Sequence, residues 1–262
     1  MPRPRVCILR TAGTNCDQET AFAFEKAGAR TELVHINALI RQEKKLSDYQ
    51  ILAIPGGFTY GDDAGAGKVL ASELKHKLIG ELSLFLKQGK LVIGICNGFQ
   101  VLVKSGLLPG NATLRQEASL ILNDSAKFED RWVYLKSQSR KVTRSQVKCV
   151  WARNLPEVIY LPVAHGEGKF IAADTRVLER LKSNGQIVFR YCNPSGGIAS
   201  YPHNPNGSQD DIAGICDETG RVLGLMPHPE RHISHFQHPR HENEPHGITI
   251  FKNGVAYVQK NI

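Results

Sequence analysis

Apolar positions along this chain follow two alternating periods. Val6-Cys7-Ile8-Leu9, Thr31 to Ile36 with Leu33 and Val34 inside, Ile51-Leu52-Ala53-Ile54 and Leu91-Val92-Ile93-Gly94-Ile95 are short continuous runs rich in β-branched residues. Such runs are buried strands. Between them apolar residues recur at helical spacing. Ala21, Phe24 and Ala27 mark one helix, closed by Gly28, with Asn15 or Asp17 as its cap. Leu70, Leu74, Leu78, Leu82, Phe85 and Leu86 mark one long helix ending at Gly89. Phe99, Leu102 and Val103 mark a third, ended by Gly106. Strands alternating with helices predict an α/β chain built on a doubly wound, mostly parallel sheet with helices on both faces. Ligands of such sheets sit at the carboxyl ends of the strands, where Pro55-Gly56-Gly57 and the turn after Ile95 both fall.

Beyond Gly110 the runs shorten. Ser119 to Leu122, Arg131 to Leu135, Val147 to Trp151, Val158 to Leu161 and Gln186 to Tyr191 predict strands of a smaller antiparallel extension on the same core. Thr175 to Asn184 reads as a helix, and Ile212 to Cys216 with Val222 to Met226 as a hairpin turning at Asp217 to Gly220. Lys136 to Gln146 is polar and basic, an exposed hairpin or loop, and Gly247 to Phe251 reads as a last strand. No repeat or linker divides the chain, so residues 1–262 are expected to form one domain.

Composition narrows the classes. With 262 residues and 41% hydrophobic content a full core is expected, and no apolar run approaches the ~20 residues of a membrane span. No signal-peptide pattern precedes the first strand, and the six cysteines lack paired spacing, which together point to reduced thiols in a cytoplasm. The net charge of +8 comes without a lysine-rich tail or an aromatic-interleaved basic motif, so neither nucleic acid nor membrane is expected as a partner. Gly67-Lys68 invites a phosphate-loop reading, but Asp62 replaces the required first glycine and Val69 the Ser or Thr. Asp62 and Asp63 fit a cap or a solvated turn better than a metal site.

The chemistry concentrates at two places. Gly94-Ile95-Cys96-Asn97-Gly98 joins strand to helix, and a side chain at such a turn is thrust out at the sheet edge. Gly94 and Gly98 permit the close approach this needs, and Cys96 falls at a helix N-terminus, where the dipole favours a thiolate. In Pro227-His228-Pro229-Glu230 the prolines hold the chain extended, so His228 and Glu230 point the same way. A nucleophile, Cys96, a base, His228, and a carboxylate that orients it, Glu230, form a triad for acyl transfer. The amide of Asn97 fits an oxyanion hole, with Gly57 as the second donor.

Pro55-Gly56-Gly57, Gly94 to Gln100 and Pro227 to Glu230 resemble the three signatures of the class I, or triad, glutamine amidotransferases, a family of flavodoxin-like fold. Finer stretches, among them Gly13 to Asp17, Gly57 to Asp63, Asn123-Asp124-Ser125, Ala164 to Gly168 and Asn204 to Ser208, are similar to the glutaminase subunits of the phosphoribosylformylglycinamidine synthases of purine biosynthesis. The resemblance implies that Cys96 converts glutamine to glutamate and ammonia through a thioester. It implies that Gln100 sits in the glutamine pocket, with Asn123 and Ser125 on its far wall. Ammonia would pass to a separate synthetase subunit acting with ATP and Mg²⁺ on formylglycinamide ribonucleotide, assisted by a small accessory subunit. No cofactor and no metal is then expected in this chain.

Alternatives remain at this stage. Asn123, Ser125, His165 and Glu167 also suit structural hydrogen bonding, and His165 and Glu167 a partner interface. The spacing of His232, His235 and His238 suits zinc, although Pro239 and the lack of nearby cysteine favour a surface segment. Another class I amidotransferase, a γ-glutamyl hydrolase, or a non-catalytic stress protein with an elbow cysteine would share much of this pattern.

Overall fold

The computed structural model describes residues 3–110, 113–137, 149–238 and 244–262. The first half alternates strand and helix: β1 (Arg5–Arg10), α1 (Asp17–Lys26), β2 (Arg30–His35), α2 (Ile36–Ile40), a short helix where the run Thr31 to Ile36 predicts the strand's end, β3 (Ile51–Ile54), α3 (Lys68–Lys77), α4 (Ile79–Lys87), β4 (Leu91–Ile95) and α5 (Asn97–Lys104). There follow β5 (Ala118–Ile121), β6 (Glu129–Ser137), β7 (Val158–His165), β8 (Lys169–Ala172), α6 (Thr175–Asn184), β9 (Ile187–Cys192), β10 (Ile212–Cys216), β11 (Val222–Leu225) and α7 (His246–Asn261).

Nine strands form one sheet in the order β2-β1-β3-β4-β11-β10-β9-β6-β7. The first five run parallel, and β10 turns the direction, so the rest of the sheet is antiparallel. The five-strand half has the 2-1-3-4-5 order of a flavodoxin-like sheet. Every residue of β3, β4, β10 and β11 is buried, as expected of strands covered on both faces. On one face α1 meets α7 through Phe24 and Phe251, whose rings stand 4.9 Å apart. Across the sheet α5 packs on β4 and β11 and carries α3.

One consequence governs the site. Strands β1, β3, β4 and β11 are adjacent and parallel, so their carboxyl ends share one edge. The loops leaving that edge hold Cys16, Gly57, Cys96 and His228. The antiparallel half reaches the same place: the His228 amide donates to the Pro162 carbonyl of β7 at 2.8 Å.

Several expectations are corrected. The long helix is two, because the backbone leaves helical geometry at Leu78 (φ −125°, ψ 6°), next to Gly80, the weakest helix former of the run. Leu78 stays buried, so the apolar stripe survives the break. The expected last strand, Gly247 to Phe251, is the start of α7. Its β-branched residues read as strand, but Ile248, Phe251, Val255 and Val258 bury at helical spacing against α1 and the sheet. The described end of the Val147 to Trp151 run is a helical turn, Val150–Ala152, whose Trp151 Nε1 donates to the Arg221 carbonyl at 2.9 Å. Strand β5 lies outside the main sheet and pairs with β8, Lys169 to Ala172, a run too short for its period to announce. Neither Asn15 nor Asp17 caps α1: Cys16 holds the cap position without a side-chain bond, and Asp17 is inside the first turn, paired with Arg10 at 2.6 Å. Of the polar stretch Lys136 to Gln146, only Lys136 and Ser137 lie within the described residues, and both end β6.

Candidate active site

Cys96 stands between β4 and α5 with φ 51° and ψ −107°, a conformation that costs a non-glycine residue roughly 1–3 kcal/mol. The surroundings enforce it. The Cys96 amide donates to the Leu225 carbonyl at 2.8 Å, extending the β4–β11 register by one residue. A Cβ on Gly98 would stand 1.9 Å from the Ile54 carbonyl oxygen, and one on Gly94 2.5 Å from that of Gly98. The two glycines therefore let the helix start close enough to the sheet for the strained turn to form. The thiol is nearly buried and donates to the Ala164 carbonyl at 3.6 Å.

His228 follows β11 in extended conformation, but the stretch is not extended throughout as its prolines predict: Pro229–Arg231 forms a short helical turn, and that turn, not the i, i+2 geometry of a strand, returns Glu230 to the ring. Nδ1 of His228 meets Oε1 of Glu230 at 2.6 Å, with both side chains buried. Burial pushes the imidazole down, yet the Glu230 carboxylate and the thiols of Cys96 and Cys16 outweigh it, and the group lies well above its ordinary range. With Nδ1 held by Glu230, Nε2 is the nitrogen left for sulfur, and the thiols of Cys96 and Cys16 are its neighbours. Gly56 fills the space between: a Cβ there would lie 2.8 Å from His228 Cε1 and 3.4 Å from Cys96 Cβ. The structure thus brings Cys96, His228 and Glu230 together, although 132 positions separate the first two along the chain (228 − 96).

The loop after β3 completes the edge. Gly57 has φ +147° and bridges to Thr14, with its α-carbon packed against the Gly13–Asn15 backbone. Asn97 opens α5, so its amide has no intrahelical acceptor. The Asn97 side chain is fixed: Oδ1 accepts from Thr59 Oγ1 at 2.7 Å, and Nδ2 donates to Asp62 at 3.2 Å and to Gln100 Oε1 at 2.9 Å. Gln100 Nε2 donates to the Glu167 carbonyl at 2.6 Å. Asp62 also accepts from the Gly67 amide in a half-buried turn, not the cap or solvated turn expected, and burial raises its carboxyl above the usual range.

Asn123 and Ser125, the residues that the resemblance put on the far wall of the glutamine pocket, are held by bonds to their own surroundings. Asn123 Nδ2 donates to the carbonyls of Lys127 and His165, and Oδ1 accepts from the Gly168 amide at 3.0 Å. Its amide is engaged in holding the β7–β8 turn. Ser125 Oγ donates to Glu129 at 2.6 Å and borders a surface cleft with Tyr201 and Asn204. None of these bonds runs to Cys96 or His228. Asn123 belongs to a buried network with His165, Asn206, Tyr191 and Ser208. Burial and nearby His228 push His165 down to about 3, so the ring is neutral, and it is too deep for an interface.

The zinc reading of the histidine segment is overtaken by packing. His232 and His238 are buried with their rings about Trp132, at 5.1 and 5.2 Å, and His232 Nδ1 lies 2.8 Å from the Tyr160 carbonyl. His235 is exposed and lies against Phe236, and His241 lies outside the described residues. Sequence reasoning missed Cys16, Glu19 and Arg231. Arg231 donates to Glu19 at 2.9 Å and to the Cys16 sulfur at 3.3 Å, beside His228. The one signal in the sequence is the Gly13-Thr14-Asn15-Cys16-Asp17 stretch, which resembles the family at a position with no evident chemistry.

Among the described residues no helix is long and apolar enough to cross a membrane. A family profile for the CobB/CobQ-like glutamine amidotransferase domain matches residues 3–258. The chain is 46% identical over 266 residues to the phosphoribosylformylglycinamidine synthase subunit PurQ of Dehalococcoides mccartyi, covering 99% of this chain and 100% of that protein. It is 42% identical over 276 residues to the subunit of the same name from Methanococcus maripaludis, covering 98% of each. A chain of the solved PurLQS structure from Thermotoga maritima superposes with a TM-score of 0.72 at 31% identity, covering 98% of this chain and 99% of that one. A glutamine amidotransferase from Thermotoga maritima shares the fold at 15% identity and a TM-score of 0.51.

Proposed function

The chain belongs to the glutamine amidotransferase family, among the PurQ subunits of phosphoribosylformylglycinamidine synthase, and from that premise we propose how its own residues carry the reaction. The side-chain carboxamide of glutamine enters above Cys96. The Cys96 proton passes to His228 Nε2 ahead of the attack, the sulfur adds to the amide carbon as a thiolate, and Glu230 stabilises the imidazolium. The oxyanion takes hydrogen bonds from the amides of Gly57 and Asn97, each such donor being worth roughly 3 kcal/mol in the transition state. Collapse breaks the carbon–nitrogen bond as His228 returns the proton to nitrogen, and ammonia leaves a γ-glutamyl thioester. Water, deprotonated by His228, attacks the thioester carbon. The Cys96 sulfur departs, taking its proton back from the imidazolium, and glutamate is released.

Gln100 contributes by fixing Asn97 and the Glu167 carbonyl, which border the glutamine pocket. Asn123 and Ser125 act at one remove, by holding the turns behind it. Ammonia goes to the synthetase subunit, which uses ATP and Mg²⁺ on formylglycinamide ribonucleotide in a complex with a small third subunit. This chain itself needs no cofactor, and its place of action is the cytoplasm.

The observation that carries this reading is the convergence of Cys96 with the buried His228–Glu230 pair on one sheet edge. In the reconstituted complex, Cys96→Ala or His228→Ala is expected to lower glutamine-dependent synthesis at least about a thousandfold while ammonia-dependent synthesis persists. Glutaminase turnover retained by either variant overturns the triad.

A further inference from the structure

Cys16 has no part in the thioester chemistry, yet its sulfur lies in the active site. A Cβ placed on Gly56 would stand 3.0 Å from it and 2.8 Å from the His228 ring. Cys16, Glu19, His228 and Glu230 each put a donor atom within 4.8 Å of all the others, and only Glu19 is partly exposed. The His228 ring is in contact with the Cys16 sulfur, and the buried Oε2 of Glu230 has no hydrogen-bond partner. We propose that Cys16, His228 and Glu19 form a binding site for a thiophilic divalent cation of the zinc class, which closes the active site by occupying the imidazole nitrogen that Cys96 needs.

The donor set fits that class. Thiolate and imidazole together suit zinc, whereas calcium and magnesium require oxygen donors. Zinc–donor bonds of about 2.0–2.3 Å put tetrahedral donors roughly 3.5 Å apart, so the group must contract by about 1 Å. Glu230 already holds Nδ1, the arrangement in which a carboxylate orients a metal-bound histidine. Binding replaces the Cys16 sulfur–hydrogen bond and the Nε2–hydrogen bond of the His228 imidazolium with bonds to the metal, and both protons are released to solvent. Arg231 competes: its guanidinium bonds both Cys16 and Glu19. Its side chain is 36% exposed, so it can turn to solvent when a cation takes its two partners. The inhibition rests on His228 being the base, whereas the binding does not.

The test uses the full chain carrying Cys96→Ala, which removes the other active-site thiol. Cobalt(II) is expected to bind with a thiolate-to-cobalt charge-transfer band that zinc abolishes. Adding Cys16→Ser should remove the band and weaken zinc binding at least about tenfold, and Glu19→Gln should weaken it while keeping the band. In the reconstituted complex with Cys96 intact, zinc should inhibit the glutamine-dependent reaction, EDTA should restore it, and Cys16→Ser should need at least about tenfold more zinc. No band in the Cys96→Ala chain, or a band that survives Cys16→Ser, overturns the site. Equal zinc sensitivity with and without Cys16 overturns its role in closing the active site.

Discussion

At the scale of single residues, the site depends on one buried ion pair and one strained backbone. His228 lies above its ordinary range in the folded chain because Glu230 faces it. Such a group contributes stability that is fully present below about pH 6.5 and is lost as pH rises through its folded value. Glu230→Gln removes the charge and keeps the shape. The stability gap between wild type and this variant is therefore expected to be widest between about pH 5 and 6.5 and to shrink at higher pH. Urea denaturation at three pH values measures it, and a gap that grows with pH contradicts the pairing. Cys96 and the Pro-His-Pro-Glu stretch were legible as residues because glycines and prolines have few physical uses. Cys16 was not, since its sequence neighbours carry nothing that points at His228.

At the scale of elements, what matters is how near two of them can come. Strand β3 and helix α5 touch through Gly98, whose missing side chain leaves room for the Ile54 carbonyl. Gly98→Ala is expected to cost about 3 kcal/mol or more, because a backbone atom rather than a flexible side chain must move. A shifted denaturant midpoint reports it. Helix α7 is held to the sheet by Trp151, fully buried, with Gly254 flat against its ring and Phe24 edge-on at 6.4 Å. Trp151→Ala should cost about 3–5 kcal/mol, and a loss under 1 kcal/mol would mean that α7 does not rest on this ring. The strand expected in place of α7 failed for a related reason. A five-residue β-branched run has no intrinsic outcome until a neighbouring surface selects its period.

At the scale of the whole molecule, the two halves of the sheet meet over the active edge. The parallel half supplies Cys96, Gly57 and His228. The antiparallel half supplies the Ala164 and Glu167 carbonyls, held by the network about Asn123, His165 and Asn206. Asn123→Ala leaves buried carbonyls and an amide without partners, so a loss of about 2–3 kcal/mol is expected in equilibrium unfolding. Unchanged stability with a raised KM for glutamine would instead return Asn123 to the substrate pocket.

The four parallel strands through Ile95, the helices after β1 and β4, the strained turn at Cys96 and the identity of the His–Glu pair followed from the sequence alone. Each is set by contacts within a few residues, where period, glycine and proline act directly. The break at Leu78, the helical fate of Gly247 to Phe251, the burial of the histidine segment and the placing of Cys16 beside His228 were decided only by tertiary structure. Those outcomes depend on which surfaces meet across the sheet, and distant segments exchange burial and hydrogen bonds there that no local pattern encodes.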